Sequence, residues 1–317
     1  MHSHQLGCLP PRANRIRSRA QPMNKRAIAL LSAGHLCDDV NQGVIPALIP
    51  FFIGERNFTI AAAAGLVFAS NVTSSVLQPL FGLLADRRSA PWLVPLGLLF
   101  AGTGVAAAGL APTYALVLGA AGITGIGVAA FHPEAARQVY LVSGDRRAVA
   151  MSLFAVGGNL GFAVGPVLAT AVQLALGLRG TVVLVLPALL MSGVIALAFR
   201  RAARAPERPP RPQAAGSEKD RWGAFGRLTG PVLCRAVIFY GLNTFIPLYW
   251  IQYFGRSKSA GAAALTTMLA AGVVGTIGGG WLADRFGRRV VVFVSMVAVL
   301  SVNSTSLPPC KSHKSPA

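Results

Sequence analysis

The chain has 317 residues, 53% hydrophobic and only 12% charged, with a formal net charge of +19, and its mean hydropathy is +0.56. A soluble domain carries roughly 25% charged residues and cannot hide this much apolar side chain, so a water-soluble globule is excluded and a bilayer is the expected solvent. The basic excess, a nucleic-acid signal in a soluble protein, lies here between apolar stretches and reads as membrane topology, so no nucleic-acid partner is expected.

In chain order, residues 1–26 form a basic N-terminal extension in which Arg12, Arg15, Arg17 and Arg19 precede Met23 without any acid. Such a stretch reads as an Arg-rich transit peptide or as an upstream extension without a role. Met23-Asn-Lys-Arg, followed at once by an apolar run, favours the second and makes Met23 the expected start. Apolar spans follow at about 27–53, 59–83, 91–111, 113–136, 147–173 and 180–199, forming a first six-helix bundle over 27–199. Three more, at 230–254, 261–283 and 290–302, form a partial second bundle over 230–302. Most reach the roughly 20 residues that cross about 30 Å of hydrocarbon. Lipid offers an open backbone no hydrogen-bond partner, so every span is expected to be helical.

Between the bundles, residues 200–229 are rich in Arg, Pro, Ala and Gly and read as a flexible cytoplasmic linker. After Val302 the pattern changes to a polar tail, 303–317, with the look of an out-of-frame translation. The ninth span is apolar over about 13 residues, too short to cross comfortably, so the second half is expected to be incomplete and about 8–9 membrane helices present.

The charges orient the spans. Of the 29 Lys and Arg, 22 fall in the N-terminal extension and in the connections after even-numbered spans, and four, Arg56, Arg179, Arg256 and Lys258, fall on the other side. The positive-inside bias therefore predicts a cytoplasmic N-terminus in an inner or plasma membrane. The four cysteines, Cys8, Cys37, Cys234 and Cys310, form no CxxC pair. No disulfide framework, metal site or cofactor is expected from them.

Two loops repeat. Gly82-Leu-Leu-Ala-Asp86-Arg87-Arg88 follows the second span, and Gly280-Trp-Leu-Ala-Asp284-Arg285-Phe-Gly287-Arg288-Arg289 follows the eighth. Both read G-x-L-A-D-R, 198 residues apart and on the same side, which predicts a parallel repeat of six-helix halves. A plain basic anchor accounts for the arginines but not for the repeated Gly and Asp. The glycine lets two helices approach, and the aspartate suits a neighbouring helix N-terminus, so a conformational-switch role is expected.

Span one carries Gly34-His35-Leu36-Cys37-Asp38-Asp39-Val40-Asn41-Gln42, a polar interruption of an apolar helix. His35 lies three and four residues from Asp38 and Asp39, and so shares a face with them. Charge at membrane depth is costly and normally functional, against the plainer reading of polar glue between helices. Burial disfavours the charged carboxylate, so a proton-coupling role is expected, with Asn41 and Gln42 extending the pathway. Span four ends in Phe131-His132-Pro133-Glu134-Ala-Ala-Arg137, and His132, Glu134 and Arg137 are expected to join the proton-coupling and substrate pathway, Glu134 and Arg137 as a gate or substrate path or as a plain salt bridge near the cytoplasmic end. In span five Gly157, Gly161 and Gly165 form a four-residue packing stripe ahead of Pro166.

The two repeated loops resemble the cytoplasmic signature of the major facilitator superfamily. That resemblance implies an all-α membrane protein, a major-facilitator-type bundle of two six-helix halves around a central cavity with alternating access. Gly161-x-x-x-Gly165-Pro166 is similar to a fifth-helix motif of superfamily antiporters. His35 to Asp39, Leu77-Gln78-Pro79-Leu80 into Asp86, Ala90-Pro91-Trp92, Phe131-His132-Pro133-Glu134 and Ser143-Gly144 through Gly165-Pro166 resemble the fosmidomycin resistance transporters. The family implies a proton-driven exporter of an antibiotic carrying a phosphonate, whose negative charge suits Arg137 or Arg235, and the chain is expected to be a monomer. Its expected partners are the lipid bilayer, the substrate and protons. The competing readings are a truncated inactive product, a transporter working as an importer, and a membrane-embedded enzyme using His35, Asp38, His132 and Glu134 as metal ligands or acid–base groups, the last lacking an HExxH-like spacing.

Overall fold

The computed structural model describes residues 22–203 and 222–305, and all regular structure among them is helical. The helices are α1 (Lys25–Arg56), α2 (Ile60–Arg87), α3 (Leu93–Leu110), α4 (Tyr114–Val142), α5 (Arg147–Leu176), α6 (Val185–Ala203), α7 (Trp222–Gln252), α8 (Lys258–Phe286) and α9 (Arg288–Thr305). A 3-10 segment, Leu178–Leu184, leads into α6. Among the described residues eight helices are long and apolar enough to cross a membrane, and α9 is outside that set. The N-terminal extension before residue 22, the linker from 204 to 221 and the tail after 305 lie outside the described residues.

Side-chain caps start several helices where the sequence supplies Asn or Thr. The Asn24 side chain accepts from Ala27 N, Thr59 from Ala62 N and Thr113 from Leu116 N, satisfying donors that a first turn leaves free. On the same side of the bundle as Thr59 and Thr113, Arg56 donates to the carbonyls of Ala111 and Gly109 at 2.9 and 3.2 Å, placing a cation at the C-terminal end of α3.

Packing rests on small residues, as expected where lipid removes the hydrophobic drive between helices. A Cβ on Gly157, Gly161 or Gly165 would strike the backbone oxygen of Ser32, Leu36 or Val40 respectively. The two series ascend together in steps of four, so α1 and α5 run parallel with backbones in contact. α3 and α4 meet the same way but antiparallel, Gly97 against Gly127 O and Gly104 against Thr124. Large apolar side chains such as Phe68 and Leu190 remain about 70% exposed, facing where lipid would lie. The second half joins the first through α5 and α8, where Ala163 packs with Leu265 and Leu269.

Candidate functional site: a buried histidine–aspartate cluster

The Asn24 amide donates to Val142 O at 3.0 Å, tying the start of α1 to the end of α4. His35 lies eleven residues from this tie along α1, and His132 ten residues from it along antiparallel α4. At a rise of about 1.5 Å per residue both reach a depth of about 15 Å, the middle of a hydrocarbon core about 30 Å thick. The two histidines therefore meet with their rings edge to face, centroids 4.9 Å apart.

Four side chains close the cluster. His35 Nε2 lies 3.2 Å from His132 Nε2 and 3.3 Å from Asp39 Oδ2. His132 Nε2 lies 3.4 Å from Asp39 Oδ1, and His132 Nδ1 lies 3.3 Å from Asp38 Oδ2. His35 Nδ1 donates to Phe154 O at 2.8 Å and His132 Nδ1 to Val128 O at 3.0 Å. The ring of Phe154 stacks on His35 with centroids 4.0 Å apart. Asp38 is fully buried, and neither of its oxygens takes a hydrogen bond, since His132 directs its Nδ1–H at Val128. One ligand atom each from His35, Asp39 and His132 lies within 4.8 Å of the others. This metal-capable group is invisible to a search for linear spacings.

Gly158 faces this cluster directly. A Cβ there would come to 2.5 Å from Asp39 Oδ2 and from the His35 ring. The expected packing stripe named its neighbour Gly157 and not Gly158. The Gly157-Gly158 pair was the available signal, but which member faced the acids depended on helix rotation.

The remaining expected site residues separate. Asn41 donates to Cys37 O within its own helix, whereas Gln42 donates to Asp39 Oδ1 at 3.4 Å. Gln42 also lines a narrow cavity with Ser70, Asn71, Phe162, Tyr240 and Asn243. Asn243 is 1% exposed and neither side-chain amide atom has a partner. These α2 and α7 residues carry no charge and stood out in no sequence pattern. Glu134 and Arg137 pair at 3.3 Å, and Gln138 also donates to Glu134 Oε1. α4 runs on to Val142, so Glu134 lies about two turns inside the helix end rather than close to it. Asp86, Arg87 and Arg88 are exposed at the end of α2, and Gly82 approaches Pro133 of α4. In the second loop Arg285 is exposed with its guanidinium over the Phe286 ring, and Gly287 breaks α8 from α9 at φ +87°. The surroundings of Gly280 and the side chains of Asp284 and Arg288 lie outside those described.

The family model of the Major Facilitator Superfamily matches residues 31–310. The chain belongs to the Major Facilitator Superfamily. As a member of the superfamily it is a multi-pass membrane transporter by descent. It is 30% identical over 277 residues to the fosmidomycin resistance protein of Escherichia coli K12, covering 86% of this chain and 68% of that protein. It is 29% identical over 281 residues to the MFS-type transporter YfnC of Bacillus subtilis 168, covering 85% and 68%. Among solved structures, a bacterial homologue of the human lysosomal transporter Spinster superposes with a TM-score of 0.67 in its inward-facing occupied form, at 19% identity. This chain spans 63% of that structure's length, and the match covers 85% of this chain.

Proposed function

We propose that the protein is a secondary active transporter that exports a small compound in exchange for protons, with the His35–Asp38–Asp39–His132 cluster as the proton-exchange site. The carrying observation is the hydrogen bond from Gln42 to Asp39, because Gln42 also lines the cavity between the two halves. A change of charge at Asp39 is thereby linked through one side chain to the cavity wall. Charged groups at mid-membrane are costly unless function maintains them. The compound belongs to the drug class, and a fosmidomycin-like phosphonate is the first candidate because a relative of 30% identity is a fosmidomycin resistance protein.

Everted membrane vesicles containing the protein test this reading. An imposed proton gradient should drive uptake of labelled fosmidomycin, and dissipating the gradient with an uncoupler should stop it. Uptake that ignores the gradient would exclude proton exchange. Gradient-driven uptake of other drugs but not of fosmidomycin would exclude only the phosphonate.

A further inference from the structure

The hydrogen bonds around the two histidines determine where their ring protons sit. Phe154 O and Val128 O each face an Nδ1, at 2.8 and 3.0 Å. A carbonyl oxygen only accepts, so both Nδ1 atoms carry hydrogen, and in the neutral rings both Nε2 atoms are lone pairs. Those lone pairs face each other at 3.2 Å, and Asp39 presents its two carboxylate oxygens to them at 3.3 and 3.4 Å. Acceptors converging from three sides repel unless a cation lies among them. An ion bound tetrahedrally at about 2.0–2.1 Å holds its ligand atoms about 3.3–3.4 Å apart, close to the separation of the two Nε2 atoms from each other and of each from its own Asp39 oxygen.

We propose that His35 Nε2, His132 Nε2 and the Asp39 carboxylate bind one divalent transition-metal ion of the zinc class. Asp38 supports this independently. It is 0% exposed, both its oxygens lack a hydrogen bond, and Oδ2 lies 3.3 Å from His132 Nδ1. The carbonyl of Val128 holds the His132 ring through Nδ1–H, and the Asp38 carboxylate beside that nitrogen adds negative charge that strengthens the ring's Nε2 as a donor to a cation. With neutral rings an ionised Asp39 leaves negative charge uncompensated in the membrane interior, and a cation among the three groups offsets it. Two imidazoles favour zinc and its neighbours over magnesium or calcium, which prefer oxygen alone. The ion occupies the place of the exchanged proton, so it competes with the proton, a consequence that rests on the proposed function, whereas binding itself does not.

The test uses protein purified without a polyhistidine tag, stripped with EDTA and titrated with zinc sulfate by calorimetry, with X-ray absorption on the zinc-loaded sample. The expected result is one ion per chain in a shell of imidazole nitrogen and oxygen. H35A and H132A should each weaken binding about 100-fold, and D38N about ten-fold. No stoichiometric ion in the unaltered protein, a shell containing sulfur, or unchanged affinity in both histidine variants would each overturn the site. If the variants fail to fold, the absorption spectrum of the unaltered protein decides alone. Proton-driven transport without zinc binding overturns the metal site and leaves the proposed function standing, whereas bound zinc without such transport does the reverse.

Discussion

At the scale of single residues, His132 and Glu134 show why a motif read as one unit can serve two sites. Two positions on a helix are about 200° apart. His132 therefore turns to the α1 aspartates, while Glu134 pairs with Arg137 and Gln138 on another face. Asp38→Asn and Asp39→Asn are each expected to abolish gradient-driven uptake in vesicles while leaving the protein in the membrane, and uptake retained in both would remove the cluster from coupling. Glu134 makes a separate prediction. It is fully buried, its Oε2 lacks a partner, and Arg137 supplies its one cationic partner among the described residues. Arg137→Ala should cost about 1–2 kcal/mol in a thermal melt, discounted because the arginine is partly exposed. Glu134→Gln added to it should recover most of that loss, and a double variant as unstable as the single would mean that the charge is not the cause.

At the scale of helices, the sequence made the spans legible because lipid permits few alternatives, and hydropathy alone places a membrane helix. It placed the ends less well, since polar residues such as Gln138 and Tyr140 extend α4 into the interfacial zone where hydropathy falls. The presence of His35, Asp38 and Asp39 on one helix was readable from their spacing. His132 on α4 was picked out with them, but its contact with them was not readable, because that depends on the tie between Asn24 and Val142 that matches two depths. The glycine face of α5 yields a graded prediction. Gly161→Leu inserts a side chain where α1 and α5 touch by backbone and should cost at least about 1–3 kcal/mol. Gly193→Ala, with nothing within 4 Å of its Cβ position, should be neutral or slightly stabilising. Equal melting temperatures for the two would refute the close-packed seam.

At the scale of the whole molecule, the charge asymmetry and the repeated loops predict orientation and cycling. In a cysteine-free background, Ser89→Cys should react with an impermeant maleimide from the cytoplasmic side and Arg256→Cys from the opposite side, both positions being exposed. Labelling of both from one side would refute the topology. Asp86→Ala should slow transport without changing labelling, and unchanged rates would reduce that loop to an anchor. The repeat itself was legible because its positions, 86 and 284, fall in the last turns of α2 and α8. The cavity between the halves was not, because Gln42 on α1 and Asn243 on α7 are 201 positions apart in sequence and meet only when the halves dock.

One helix touches every part of this arrangement. α5 lies backbone-to-backbone on α1 through Gly157, Gly161 and Gly165, holds the His35 ring through Phe154 and Gly158, and carries α8 of the second half on Ala163. It therefore stands between the cluster and the second half, in contact with both. A turn of the second half that loads α5 must press on His35 and Asp39 at Gly158, where no side chain cushions the push. A change at the cluster and a shift of the second half are then expected to reach each other through α5.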